Sequence, residues 1–446
     1  MSTYSVGSAN FGRFWFGQTL FGFGTRIGTL GLSVTAVGPL DANTRQVGVL
    51  AAASTVCYLV IGLPAGAWVD RMPKRRTMMW AALTRCLTIL VIPVLLLTGD
   101  LRIEVLYAVA VVVGVVSVFL DVASQSYVPV LVPEEDIGAA NARLEATAQV
   151  SALGGPAVAG LLMRVVSAPV VMLVDALAHL VGLLSLGVTR DGERRPAPEE
   201  GGGRRHLTAD IGEGLRFVRD QPVVRRLAVS MGVSNFFATL VSTLVPVLVM
   251  RTIGFDSFVL GLVMTCGAAG GVVGALLAPR ARKRFSAGAV MSCGLLMAAL
   301  FTVANPLAAA VSPHGKVLAG AVLLVGEFGL TVGALLFNVT QVSLRQSLCP
   351  KHLLGRMNAS VRFVVWGSMP PAALVAGWLG SAIGVVGALW VGVVGSVATV
   401  LPILAVDRVM AASSAAPRTQ EPQTQEPQTQ EPKAQEPKAQ EPKAAR

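Results

Sequence analysis

Apolar runs about twenty residues long, separated by short polar breaks, recur along the chain up to about residue 406. An α-helix rises 1.5 Å per residue, so about 20 apolar residues cross the roughly 30 Å hydrocarbon layer of a bilayer. This spacing predicts twelve membrane helices, over 11–38, 47–69, 77–98, 104–127, 138–164, 168–189, 225–250, 257–279, 286–308, 317–341, 353–379 and 383–406. The fold class expected is an all-α membrane protein.

Polar stretches divide these spans into two groups of six. Residues 190–224 are polar, rich in Gly and Pro near their start, and end in the amphipathic stretch IGEGLRFVRD. They read as a linker with a surface helix, joining a bundle over 1–189 to a second over 225–410. From residue 411 the chain repeats Gln-Glu-Pro every five positions, at Gln420, Gln425, Gln430, Gln435 and Gln440, with nothing large and apolar to build a core. This tail is expected to be disordered. An internal repeat supports the division: Pro133, Gly138, Asn141 and Ala142 match Pro350, Gly355, Asn358 and Ala359 at a constant offset of 217 (350 − 133), kept by Gly160 and Gly377. Both copies enter the fifth span of their half, as two parallel six-span repeats require.

Composition narrows the function classes. Of 446 residues 53% are hydrophobic and 14% charged, against about a quarter charged in a soluble domain. A soluble enzyme does not fit. The net charge of +11 lies mostly in short loops, so it reports orientation in a bilayer rather than a nucleic-acid partner. Arg71, Lys74, Arg75 and Arg76 follow span two; Arg190, Arg194, Arg195, Arg204 and Arg205 follow span six; Arg280, Arg282, Lys283 and Arg284 follow span eight. The opposite connections hold single basic residues, Arg45, Arg102, Arg164, Arg251 and Lys316. Both termini are therefore expected on the cytoplasmic side, and no cleavable signal peptide is expected at the N-terminus. The cysteines Cys57, Cys86, Cys266, Cys293 and Cys349 lack metal or redox spacing and read as packing residues. No zinc-protease, Walker or dinucleotide motif is found, and the four histidines are scattered, so neither a cofactor nor a metal is expected.

The most informative stretch is GLPAGAWVDRMPKRR, residues 62–76. Gly62 and Gly66 share a helix face and leave room for another helix, while Asp70 and Arg71 open a tight basic loop with Lys74 and Arg75. A carboxylate here can latch onto a helix N-terminus or an arginine while the cytoplasmic side is closed. The stretch resembles the loop signature between the second and third spans of the major facilitator superfamily, departing from it at Pro73, where glycine is usual. The second half keeps the glycine and basic residues in GALLAPRARKR but has Ala278 in place of the acid. GGPAVAG in span five resembles the Gly-Pro motif of the superfamily's antiporters, with Ala159 replacing one glycine. Pro156 kinks the helix, and Gly155 and Gly160 admit neighbours, so the element is a seam or pivot. The span pattern over 11 to about 406 resembles the branch containing macrolide, siderophore and multidrug exporters.

Charges within spans cost at least about 2.5–3.5 kcal/mol each and need partners or water. By residue count Arg26 and Glu327 lie near mid-depth in spans one and ten, and Asp121 in the inner part of span four. The resemblance would place these spans, with span seven and its Asn235, Phe236 and Phe237, around a central cavity. Arg26 is then a candidate to attract substrate or to hold Glu327 ionised, and Asp121 or Glu327 to carry a proton; structural pairing between helices is the alternative. Asp175 and His179, four apart, form either a relay or a mutually satisfied pair. Arg85 and Arg362 read as lying nearer the cytoplasm, pairing with Asp70 or snorkelling.

The expectation is a secondary transporter of a bacterial inner membrane, exporting a small amphipathic molecule in exchange for protons, its partners being that substrate, protons and the lipid bilayer. It is expected to act as a monomer. Proton-coupled nutrient uptake and a non-transporting membrane scaffold using the tail are the rival readings.

Overall fold

The protein is described here by a computed structural model covering residues 9–189, 216–349 and 354–409. Every one of the twelve expected segments is helical. The first half holds α1 (Ala9–Val37), α2 (Thr44–Val60), α3 (Gly62–Asp70), α4 (Lys74–Thr98), α5 (Ile103–Leu131), α6 (Ile137–Leu162) and α7 (Ala168–Gly187). The second holds α8 (Pro222–Val247), α9 (Ser257–Arg282), α10 (Ala287–Thr302), α11 (Ala304–Val311), α12 (Lys316–Leu348), α13 (Leu354–Gly367), α14 (Met369–Ala382) and α15 (Gly384–Ala398). Among the described residues nine helical segments are long and apolar enough to cross a membrane; α2 and α15 are apolar but shorter. Segment α6 has the length, but it carries the polar sequence NARLE from its fifth residue, Asn141. Most of the expected linker, residues 190–215, lies outside the described residues, as does the tail from residue 410; residues 216–220 are helical.

There are more helices than spans because several spans are broken, each break near a residue that cannot continue the hydrogen-bond ladder. Span two turns at Ile61 ahead of Pro64, span nine at Val303 ahead of Pro306, and span eleven at Ser368 ahead of Pro370 and Pro371. After Pro246, span seven ends in a π turn over Leu248–Thr252. Connections are capped by ordinary means. Asn43 and Gln46 form a reciprocal capping box on α2, and Gly99 closes α4 in the left-handed conformation, φ 78°.

Within the first half α1 packs on α7 and α6, α4 on α7 and α5, and α2 on α5; within the second α12 packs on α9 and α10, and α8 on α14 and α15. The two halves meet chiefly along α2 against α14 and α6 against α9. Large aliphatic side chains such as Leu97, Val317, Leu300 and Val394 are exposed, as they must be when lipid is the surrounding solvent.

Candidate functional site

Helices from different halves can touch along their backbones only where side chains are absent. On α2, a Cβ added to Gly48 would sit 2.6 Å from the Ala373 carbonyl oxygen and 2.8 Å from Gly377 Cα on α14. On α9, one added to Gly261 would lie 2.5 Å from the Pro156 carbonyl oxygen and 3.1 Å from Gly160 Cα on α6. The span-five motif thus serves two seams: Gly155 admits the Arg26 Cβ of α1, and Gly160 admits α9. These are the close approaches expected of small-residue faces in lipid.

Polar contacts close one end of the molecule, the end predicted to be non-cytoplasmic. Arg251 donates to the Ala42 and Val37 carbonyls at 2.6 and 2.9 Å and to Asp41 Oδ1 at 2.6 Å. Asp41 holds a left-handed backbone there, φ 46°. Arg45 Nε donates to Ser381 Oγ at 2.8 Å, while Arg164 lies 3.8 Å from Asp256 and stacks 3.7 Å above the Phe258 ring. Toward the opposite end the inner turns of α6 are exposed from Asn141 to Val150 save Leu144 and Thr147, while across the halves the Tyr58 and Trp366 rings still meet at 5.0 Å.

A cavity of about 610 Å³ lies largely within the second half and is closed on one side by α1 of the first. From α1 it takes Thr29, Leu30 and Ser33; from α8 Asn235, Thr239 and Ser242; from α9 Met264 and Gly267; from α12 Glu327 and Thr331. Among its described lining residues Glu327 is the one ionisable group. Gly267 gives it space, a Cβ there lying 3.6 Å from Oε2, and the buried Asn305 amide faces its carboxylate. Asn235 donates to the Val365 carbonyl at 2.7 Å and to Ser368 Oγ at 3.1 Å, so it bridges α8 to the break in span eleven. Phe236 and Phe237 do not line the cavity. They pack into the core, Phe237 against Gly395.

Other expected site residues fall elsewhere. Arg26 is exposed and, among the described residues, forms no ion pair with Glu327; the two do not come together. It lies, with Arg85 and Arg362, within Coulombic range of Asp121, which accepts from the Tyr58 hydroxyl at 3.0 Å. The close helix approach expected at Gly62 and Gly66 is absent: Gly62 has only the Trp366 ring at 3.9 Å and Gly66 faces open space. The Asp70 side chain lies outside the described set, and Arg71 is exposed. Lys74 begins α4, and Arg75 donates to the Leu186 and Gly187 carbonyls at 2.9 and 2.6 Å, capping α7.

Arg85 does not snorkel: it is buried, and Nη2 pairs with Asp175 Oδ2 at 3.1 Å across 90 positions of sequence. His179 Nδ1 lies 2.7 Å from Asp175 Oδ1, so the pair read from sequence is a triad. The third member carried no local signal, although Gly24 and Gly28, a helical turn apart on α1, mark where the triad presses: a Cβ at Gly28 would overlap the Asp175 carboxylate. Among the described residues no group of His, Cys, Asp or Glu is arranged to hold a metal.

Comparisons with known proteins agree with this architecture. A multidrug efflux pump, Tap, of Mycolicibacterium fortuitum is 28% identical over 353 residues, 77% of this chain and 83% of that protein. Among solved structures, a bacterial homologue of the human lysosomal transporter Spinster, inward-facing and unoccupied, superposes with TM-score 0.70 at 14% identity, over 91% of this chain and 98% of that one. A bacterial homologue of the iron transporter ferroportin, also inward-facing, gives 0.69 at 16% identity over 90% and 98%. The model of the Major Facilitator Superfamily matches residues 14–373. A sequence that fits this model over most of its length places the chain in the Major Facilitator Superfamily, as a multi-pass membrane transporter and not an enzyme.

Proposed function

We propose that the protein is a proton-coupled exporter of small amphipathic cations, working by alternating access in a bacterial inner membrane with both termini cytoplasmic. The observation that carries this reading is the cavity of about 610 Å³ whose described lining is apolar and hydroxyl-bearing around a single carboxylate, Glu327. One negative charge in a low-dielectric cleft favours a cation, and the aliphatic and methionine walls favour its apolar body. The volume lies within the range of sites that take drug-sized ligands. A proton and a cationic substrate competing for the same carboxylate give exchange without further machinery. The 28% identity to a multidrug efflux pump supports the direction.

In this reading the contacts of Arg251, Arg45 and Arg164 hold one side shut. The loop of Asp70, Arg71, Lys74 and Arg75 latches the other side when the halves, residues 1–189 and 225–410, rock together. Exchange of protein-facing for solvent-facing contacts at the two ends then moves the cavity between membrane sides.

The test uses inverted vesicles energised by respiration and ethidium as the probe cation. Wild-type protein accumulates ethidium in step with the proton gradient, and Glu327→Gln loses this accumulation at least ten-fold while remaining folded. Gradient-driven accumulation undiminished in Glu327→Gln removes Glu327 from the mechanism. Wild-type uptake in the opposite sense, from outside into intact cells, identifies an importer.

A further inference from the structure

We infer that the buried Asp175–His179 pair, held by Arg85, is a proton-binding site in the N-terminal half, separate from Glu327 in the central cavity. The inference rests on the proton-coupled reading above and adds a second titrating centre to it.

Asp175 and His179 are fully buried on α7, and Arg85 reaches them from α4. Structural ion pairs in lipid use up their donors and acceptors, because an unpaired polar atom there is costly. This one does not. His179 Nε2, Arg85 Nε and Asp175 Oδ1 have no hydrogen-bond partner among the described residues. Beside Arg85 and Asp175, though not reaching His179, lies a cavity of about 160 Å³ whose largely aliphatic wall also carries Ser117, Ser54 and Tyr58. That is room for several waters with polar partners on its walls.

The charged and titratable groups facing the pair are few. Arg85 and Cys86 come from α4, while α5 adds the Ser117 hydroxyl, which accepts from Arg85 Nη1 at 2.9 Å. Tyr58 of α2 lies across the small cavity and donates to Asp121 of α5. From α1 come Phe21, stacked on the His179 ring at 5.0 Å, and Gly24 and Gly28, none of them titratable.

His179 Nδ1 lies 2.9 Å from the Asp175 carbonyl and 2.7 Å from Asp175 Oδ1, both acceptors, so a neutral ring at this place would carry its proton on Nδ1. The pair then bears one negative charge, matched by Arg85. A proton delivered by hydronium in the small cavity forms one new N–H or O–H bond on the pair as one hydronium O–H bond breaks. Water is released and the pair becomes neutral. Arg85, no longer matched, turns across the cavity toward Tyr58 and Asp121. Helix α1 transmits the change: its glycine face rests on the triad, and one turn on it lines the central cavity with Thr29, Leu30 and Ser33.

The test uses full-length protein in proteoliposomes with ethidium as probe, comparing transport driven by an imposed pH gradient with ethidium–ethidium exchange at equal pH. Exchange needs no net proton movement. His179→Gln and Asp175→Asn are expected to lose gradient-driven transport at least ten-fold and to keep exchange within about two-fold. Variants that retain gradient-driven transport overturn the inference while leaving the proton-coupled reading intact. A wild type indifferent to the gradient overturns both. Should the variants fold poorly, nitrogen NMR of histidine-labelled wild-type protein decides: His179 changing protonation between pH 5 and 9 supports the site, and a ring unchanged over that range, with an equally unchanged Asp175 carboxyl in infrared spectra, overturns it.

Discussion

Gly48 and Gly377 meet backbone to backbone, a Cβ on Gly377 lying 3.0 Å from Gly48 Cα. Gly377 stands 217 positions after Gly160, which makes the equivalent contact with Gly261 in the other seam. The internal repeat therefore places a glycine in span five and in span eleven for the same purpose, to let the fifth helix of each half lie on a helix of the other.

Adding side-chain volume at this seam is predicted to open the closed end. Gly377→Val inserts atoms where Thr44, Arg45 and Gly48 backbones already lie within 3.2 Å. Overpacking typically costs about 1–3 kcal/mol, a shift of roughly 5- to 150-fold between the two end states. Spin labels at Arg45→Cys and Ser381→Cys, whose native side chains are hydrogen-bonded, are expected to move from a short to a long distance population in the variant.

Arg251→Gln is predicted to loosen the same end more gently. It removes the hydrogen bonds to Val37, Ala42 and Asp41, of which the Asp41 partner is largely exposed and screened. The two carbonyl contacts leave a cost of about 1–2 kcal/mol. Labelling of a cysteine at Ser33 by an impermeant maleimide from the closed side is expected to speed up five- to thirty-fold.

Breaking the buried triad from one side should be costly. Arg85→Met leaves Asp175 without its cation at a fully buried site, predicted at about 3–5 kcal/mol of stability. Combining it with Asp175→Asn removes the stranded charge and is expected to recover most of the loss. Thermal unfolding in detergent of the two single variants and the double variant measures the coupling directly.

The helix pair α9 and α12 offers a control inside one half. A Cβ on Gly270 would fall 2.2 Å from the Phe328 carbonyl oxygen and one on Gly274 2.4 Å from that of Val332. Gly270→Val is expected to lower folded yield sharply, read by fluorescence-detected size exclusion, because here the clash is with backbone that cannot move aside.

Much of the architecture is legible along the chain because lipid leaves helices few choices, and a run of aliphatic residues marks one wherever it occurs. Depth and facing are harder. Arg85 reads as a snorkelling or loop-pairing residue, yet it is buried and its partner is Asp175, on a helix that only the tertiary fold brings beside it. Glu327 and Asn235 line one cavity, whereas Arg26, equally central by residue count, is exposed and is not among that cavity's lining residues. Residue count gives height in the membrane but not azimuth around the bundle. The spacing of Gly24 and Gly28 carried that azimuthal signal, as small residues four apart mark the face a neighbour presses on.

Arg75 occupies two roles separated in time. While the chain is being inserted, a cation at this place counts toward orientation whatever its shape. Once α7 has docked, the same guanidinium forks onto the last carbonyls of that helix, a task for which shape is everything. Biogenesis and the finished fold thus draw on different properties of one side chain, and lysine in its place would orient the nascent protein correctly yet leave the end of its sixth span to fray.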